Sequence, residues 1–209
     1  MDAVAAQVQT LVALRHFVAA FDVSHVVSKP TRLCITAHAA TDVSSRETLV
    51  LVQSKTYSLH RERTLLDARN ELPIATLRRG LFGRATTYSA YMRTEHEETP
   101  CSFTFTVTGC TTMRSEFTDL VSGQSCTMGC DGSSDDERSA ISVWLSRGNS
   151  GSADARQTIA RLTFAVENAT TKDEPTVLLD VSAGVDRMML ILTCIGLLDK
   201  RCERIQTQQ

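Results

Sequence analysis

Between about Pro30 and Ser182, apolar and polar residues alternate with period two, in short runs separated by turn-forming or charged clusters. That alternation is the signature of half-buried strands. In SFTFTVTG, Phe103, Phe105 and Val107 face one way, and Thr104, Thr106 and Thr108 the other. Comparable runs lie at 31–38, 48–53, 56–61, 64–68, 73–79, 87–93, 116–121, 125–130, 140–146, 158–166 and 176–182, so about twelve strands are expected. DARNELP (67–73) has the residues of a hairpin turn. The stretches 129–139 and 147–155, rich in Gly, Ser and Asp, read as longer loops. A third loop, 167–175, contains Asn168-Ala169-Thr170, a glycosylation sequon that a cytosolic protein leaves unused. The absence of a fixed-period repeat argues against solenoids and propellers.

After Gly184 the pattern changes. Val185 to Ile205 reads as one helix, roughly 30 Å long, with Asp186 in its first turn and Lys200, Arg201 and Arg204 in its last. This arrangement suits the helix dipole. From Met188 to Leu198 only Thr193 and Gly196 interrupt the apolar run. Such a helix must be surrounded by apolar groups on every side. Eight strands close a barrel that side chains alone can fill, so a barrel of about twelve needs an occupant. A helix about 10 Å across fits. The expected fold is therefore mainly β: a closed barrel of about twelve strands enclosing a hydrophobic C-terminal helix, plus an N-terminal helix. Val185, Met188, Met189, Ile191, Leu192, Ile195 and Leu198 are expected to fill the barrel. The apolar run is too short to span a bilayer, which takes about 20 residues, and charges close it on both sides.

The N-terminal segment MDAVAAQVQTLVALRHFVAAFD places Val4, Val8, Leu11, Val12 and Val18 on one helical face, with Arg15 in its middle. It is expected to be a helix, packed on the domain as a helix or as an extended arm, with an amphipathic membrane anchor as the alternative. Asp2, Gln7, Gln9, Arg15 and His16 break the pattern of a secretory signal. The expected division is an arm over 1–28, a domain over 29–205 and a tail over 206–209. Apolar residues make up 42% and charged residues 22% of the chain, which places it among globular proteins. Twenty-two basic against twenty-four acidic residues leave no global positive field, so no nucleic-acid partner is expected. Cys34, Cys101, Cys110, Cys126, Cys130, Cys194 and Cys202 contain no CxxC pair, and no histidine stands at ligand spacing from them. They read as free thiols of a reducing cytosol, with no metal site.

Two segments resemble a known family. ERTLLDARNELPIATLRRG (62–80) is similar to a strand, turn and strand in which an Asp-Ala end leads through a turn to a Leu-Arg-Arg end. VLLDVSAGVDRMMLILTCIGLLDK (177–200) is similar to a closing strand, Gly-Val-Asp, an apolar helix and a terminal Asp. Both are features of the LURP-one-related proteins, which share the tubby C-terminal-like fold with tubby domains and phospholipid scramblases. The resemblance spans roughly Pro30 to Arg204 and implies a twelve-stranded barrel around a central helix. It also implies a choice of roles: phosphoinositide binding as in tubby domains, bilayer association as in scramblases, or the defence association of plant LURP-one-related members. Fold alone does not choose among them.

The strongest local charge feature is Arg78, Arg79 and Arg84, with Arg93 one strand later. Arginine forks suit phosphate, and Leu81-Phe82 between them could dip into a lipid surface. Strand alternation sends Arg78 and Arg79 to opposite faces, and Glu95, Glu97 and Glu98 nearby make solvated strand ends the competing reading. No GxSxG, P-loop, HExxH or strand-borne GxGxxG motif occurs, so no catalytic residue and no cofactor is expected. The acidic loop Asp131, Asp135, Asp136, Glu137 lacks the ligand spacing of a calcium loop, and its Ser133 and Ser134 are candidate phosphorylation acceptors. The expected function is non-enzymatic binding of anionic phospholipid or phosphoinositide by a cytoplasmic, peripherally attached protein. A protein-interaction scaffold is the alternative, and scramblase-like activity comes third.

Overall fold

The computed structural model describes residues 11–55, 61–81, 85–93, 98–132, 140–148, 156–164 and 175–207, the backbone alone at 93, 98–102 and 205–207. Its strands are β1 (Thr31–Ile35), β2 (Ala39–Asp42), β3 (Thr48–Ser54), β4 (Arg63–Asp67), β5 (Pro73–Arg79) and β6 (Thr86–Arg93). They continue as β7 (Glu98–Val107), β8 (Thr112–Thr118), β9 (Ser125–Asp131), β10 (Ile141–Arg147), β11 (Gln157–Phe164) and β12 (Val177–Val181), and the helix α1 (Arg187–Thr207) follows. Each strand pairs antiparallel with its sequence neighbour, and β1 closes the ring on β12, with Thr31 opposite Val181 and Ile35 opposite Val177. Closure leaves no free sheet edge.

Alternation decides what lies inside. Along β8, Met113, Ser115 and Phe117 are buried while Arg114, Glu116 and Thr118 are exposed. The inward side chains meet α1 on the barrel axis. Val185, Met188, Met189, Ile191, Leu192, Ile195 and Leu198 are each at most 2% exposed and belong to one hydrophobic cluster with the inward strand residues. The helix is thus enclosed, as its all-round apolar surface requires. Each such aliphatic side chain contributes roughly 1.5–3 kcal/mol of transfer free energy.

The strand number matches expectation, but the membership differs. The run at 31–38 breaks after Ile35, because the Thr36 hydroxyl accepts from the backbone N–H of His38 (3.2 Å) and Ala39 (3.1 Å). That turn starts β2, a strand with no apolar alternation of its own. Of the strand expected at 56–61, residues 56–60 lie outside the described residues, and Arg61 sits at φ 44°, outside β4. The run at 116–121 shifts back to β8, since the Asp119 carboxylate takes the N–H groups of Val121 and Ser122 and Gly123 (φ 69°) completes a turn.

The expected N-terminal helix needs correction. Residues 1–10 lie outside the described residues, and 11–28 contain no α-helix, only a single 3-10 turn at Val23–His25. Here the chain is an arm laid across the end of the barrel. Tertiary partners claim its N–H groups: Leu14 donates to the Ala183 carbonyl (3.1 Å) and Val18 to that of Gly184 (2.8 Å). Val18, Ala19, Ala20 and Phe21 are all at most 1% exposed, a consecutive burial that no single helix face provides.

Candidate functional site

Odd-numbered strands run toward the end where α1 leaves the barrel, the exit mouth, and even-numbered strands start there. Arg79 ends β5, Arg63 begins β4, and Arg61 lies just before it. All three meet the last turns of α1. Arg63 Nη2 donates to Asp199 Oδ1 at 2.5 Å, and its other nitrogen bonds the Ser54 hydroxyl. Arg79 grips Glu203 with both guanidinium nitrogens, one bond measuring 3.3 Å, while Arg61 reaches the same carboxylate at 2.6 Å. Lys200 Nζ lies 3.5 Å from Glu203 Oε2 and 3.4 Å from the Thr86 hydroxyl. Four cations thus meet two carboxylates. Arg201 stacks on Phe164 at 4.7 Å, and Arg204 is exposed one turn beyond Lys200.

Only part of the arginine group expected from sequence converges here. Arg79 turns into the mouth. Arg78, on the outer face, bonds Glu62 (3.1 Å) and covers the Tyr91 ring at 4.9 Å. Arg84 lies outside the described residues. Arg93 pairs in register with Glu98 at the far end of β6, five residues beyond the Tyr88 that opposes Arg79, or about 17 Å along the strand. The residues that replace it, Arg61, Arg63 and Lys200, carried a signal: an Arg-Glu-Arg strand start and a basic last helical turn must share a mouth once the helix is axial.

Burial pushes the Glu203 carboxyl up, but Arg79, Arg61 and Lys200 outweigh it and hold the group below its ordinary 4.5. The stabilisation this represents is complete above that value and is lost as pH falls through the lower folded value. Glu203→Gln should therefore cost about 1 kcal/mol at neutral pH, with the gap to wild type closing in acid. Urea titrations across that range check this, and a gap independent of pH contradicts it. Asp199 behaves differently: burial pushes its carboxyl up despite Arg63, Arg61 and Arg79. Asp199 Oδ2 and the Tyr88 hydroxyl are both buried here without a hydrogen-bond partner among the described residues.

At the opposite, entry mouth the arm is clamped by two carboxylates. Asp186, fully buried, receives the N–H groups of Phe21 and Asp22 on one oxygen and of Met188 and Met189 on the other. Asp119 receives Ala19 N–H at 3.0 Å. Burial pushes its carboxyl up, but the Ser122 hydroxyl and the N–H groups of Ala19, Val121 and Ser122 outweigh it, holding it below the usual range.

A family model described as LURP-one-related matches residues 28–198. The match runs from just before β1 to just past the middle of α1, taking in Arg61, Arg63 and Arg79 and stopping one residue short of Asp199. No curated protein and no solved structure matches the chain.

Proposed function

Because the chain belongs to the LURP-one-related family and its barrel axis is taken by its own helix, we propose that it acts from its surface, as a non-enzymatic protein that binds an anionic phospholipid or phosphoinositide headgroup at the exit mouth. The carrying observation is the convergence of Arg61, Arg63, Arg79 and Lys200 on Asp199 and Glu203 among the described residues, in a chain whose overall charge is −2. Guanidinium forks that grip Glu203 offer the same geometry to a phosphate, which can share or displace that carboxylate. Arg61, with its side chain 57% exposed, and Arg204 lie where an incoming headgroup meets them first. Leu81, 48% exposed on the adjoining β5–β6 connection, supplies apolar contact with the acyl boundary. This reading makes the protein a cytoplasmic one that attaches peripherally. Scramblase-like action would require α1 to enter a bilayer, and no helix among the described residues is long and apolar enough to cross one.

Vesicle co-sedimentation tests the reading. Phosphatidylcholine vesicles should leave the protein in solution, while vesicles carrying a phosphoinositide should retain it at low salt and release it as salt rises. Arg61→Glu combined with Lys200→Glu should weaken retention at least about tenfold, at roughly 1 kcal/mol for each charge near the surface. Arg78→Glu, on the outer face, should change it little. Failure of wild type to sediment with anionic vesicles at low ionic strength removes the reading.

A further inference from the structure

A groove of about 540 Å³ opens at the entry mouth between the arm, the β8–β9 turn and the end of β10. Among the described residues it is lined by three basic residues, Arg15, His16 and Arg147, and by Phe17, Val121, Ser122 and Gln124, with no carboxylate among them. We propose that this groove is a docking site for an extended acidic peptide segment of a partner protein, carrying at least one apolar side chain.

Charge complementarity selects an acidic occupant. Arg15 and Arg147 bring two permanent cations to one concavity, and the oxygens of Asp119, in the adjoining β8–β9 turn, are spent on Ala19, Val121 and Ser122. The apolar requirement comes from Phe17 and Val121, which are 56% and 48% exposed on the groove wall and leave a greasy contact uncovered. Shape selects a peptide over a bilayer: a recess accepts a narrow chain, whereas a lipid surface is engaged by side chains that protrude. The volume falls within the range of small-ligand sites, enough for a few side chains and too little for a folded surface.

The walls are also set in advance. Arg147 Nη2 donates to the carbonyls of His16 (2.7 Å) and Phe17 (3.2 Å), fixing the arm beside β10. Leu120 N–H donates to the Ala19 carbonyl at 2.8 Å, fixing the turn against the arm. Because these bonds already order the groove, binding loses little conformational freedom on the receptor side.

The test uses the full chain and a fluorescein-labelled decapeptide in which Glu and Asp alternate with Leu and Phe, read by anisotropy. Wild type should bind it saturably and less tightly as salt rises, and the same peptide with Lys in place of its acids should not bind. Arg15→Glu should raise Kd at least about tenfold, through slower association as well as faster dissociation, and Phe17→Ser should raise it severalfold. Arg15 is exposed and the arm's anchoring bonds come from other residues, so an unchanged melting temperature will accompany the loss. Lys200→Glu, at the other mouth, should leave Kd unchanged, which separates this site from the lipid reading. The proposal is overturned if wild type ignores the acidic peptide, if Arg15→Glu binds it equally well, or if Arg15-dependent capture occurs only on anionic vesicles.

Discussion

Asp186→Ala is expected to lower the stability of the fold by about 4 kcal/mol and to move its melting temperature down by roughly 8–16 °C. The carboxylate is fully buried and accepts four backbone N–H groups: Phe21 at 2.9 Å and Asp22 at 3.1 Å on Oδ2, Met188 at 2.9 Å and Met189 at 3.3 Å on Oδ1. Two of these are the orphan donors of the first turn of α1, so Asp186 is the helix N-cap, a role worth about 1–2 kcal/mol by itself. The other two belong to the arm, so one side chain joins the axial helix to the segment that covers its entrance. Burial pushes the carboxyl up, and N–H groups from Phe21, Asp22 and Met189 work against it. Alanine removes both oxygens and leaves the donors dry, each costing about 1 kcal/mol or more. Asparagine keeps one acceptor oxygen and should lose roughly half as much. Urea unfolding measures the loss. Limited trypsin digestion at Arg15 reports the arm separately, and should run faster in Asp186→Ala than in Asp186→Asn. A cost below about 1 kcal/mol, with cleavage at Arg15 unchanged, would show that the joint lies elsewhere.

What could be read from sequence follows the range of the forces involved. Period two in residues 103–107 and the apolar girth of 188–198 are local signals, and the second demands the first: a helix greasy on all sides needs a wall on all sides. The arm and β2 are different. Val18 to Phe21 are held by Gly184, Asp119 and Asp186, residues at least 100 positions away, so no window around the arm contains the reason for its extended shape. In β2 only Ala40 is buried, and its strand state comes from pairing with β1 and β3 rather than from its own pattern. The split of Arg78 from Arg79 was legible because alternation is local. The bond from Arg79 to Glu203, 124 residues on, depends on how far the helix slides along the barrel axis, which only packing decides. Arg93 could have been placed correctly from topology, since a hairpin that pairs Arg79 with Tyr88 carries residue 93 to the other end.

Gly196→Ala separates local preference from packing, because the two predict opposite signs. In an exposed helix the change should stabilise by about 1 kcal/mol, since alanine is the better helix former. In α1 a Cβ at this position would lie 2.6 Å from Phe105 Cε2, 3.0 Å from Phe105 Cζ and 3.3 Å from Tyr88 Cδ2. Neither ring can swing aside. Tyr88 and Phe105 are each 1% exposed and stack on one another with centroids 5.2 Å apart, and Phe103 packs on Phe105 at 5.6 Å. Overpacking of this kind typically costs about 1–3 kcal/mol, so the expected outcome is a net loss, with a larger residue such as Val at 196 preventing closure of the barrel. The cause can be isolated by trimming the obstacle. Phe105→Leu alone should destabilise by opening space, yet in the Gly196→Ala background it should cost less, giving a favourable coupling of at least about 0.5 kcal/mol in a double-mutant cycle. If Gly196→Ala instead raises the melting temperature, or the two changes simply add, α1 does not press on the barrel wall at this level and the enclosed-helix packing described above is wrong there.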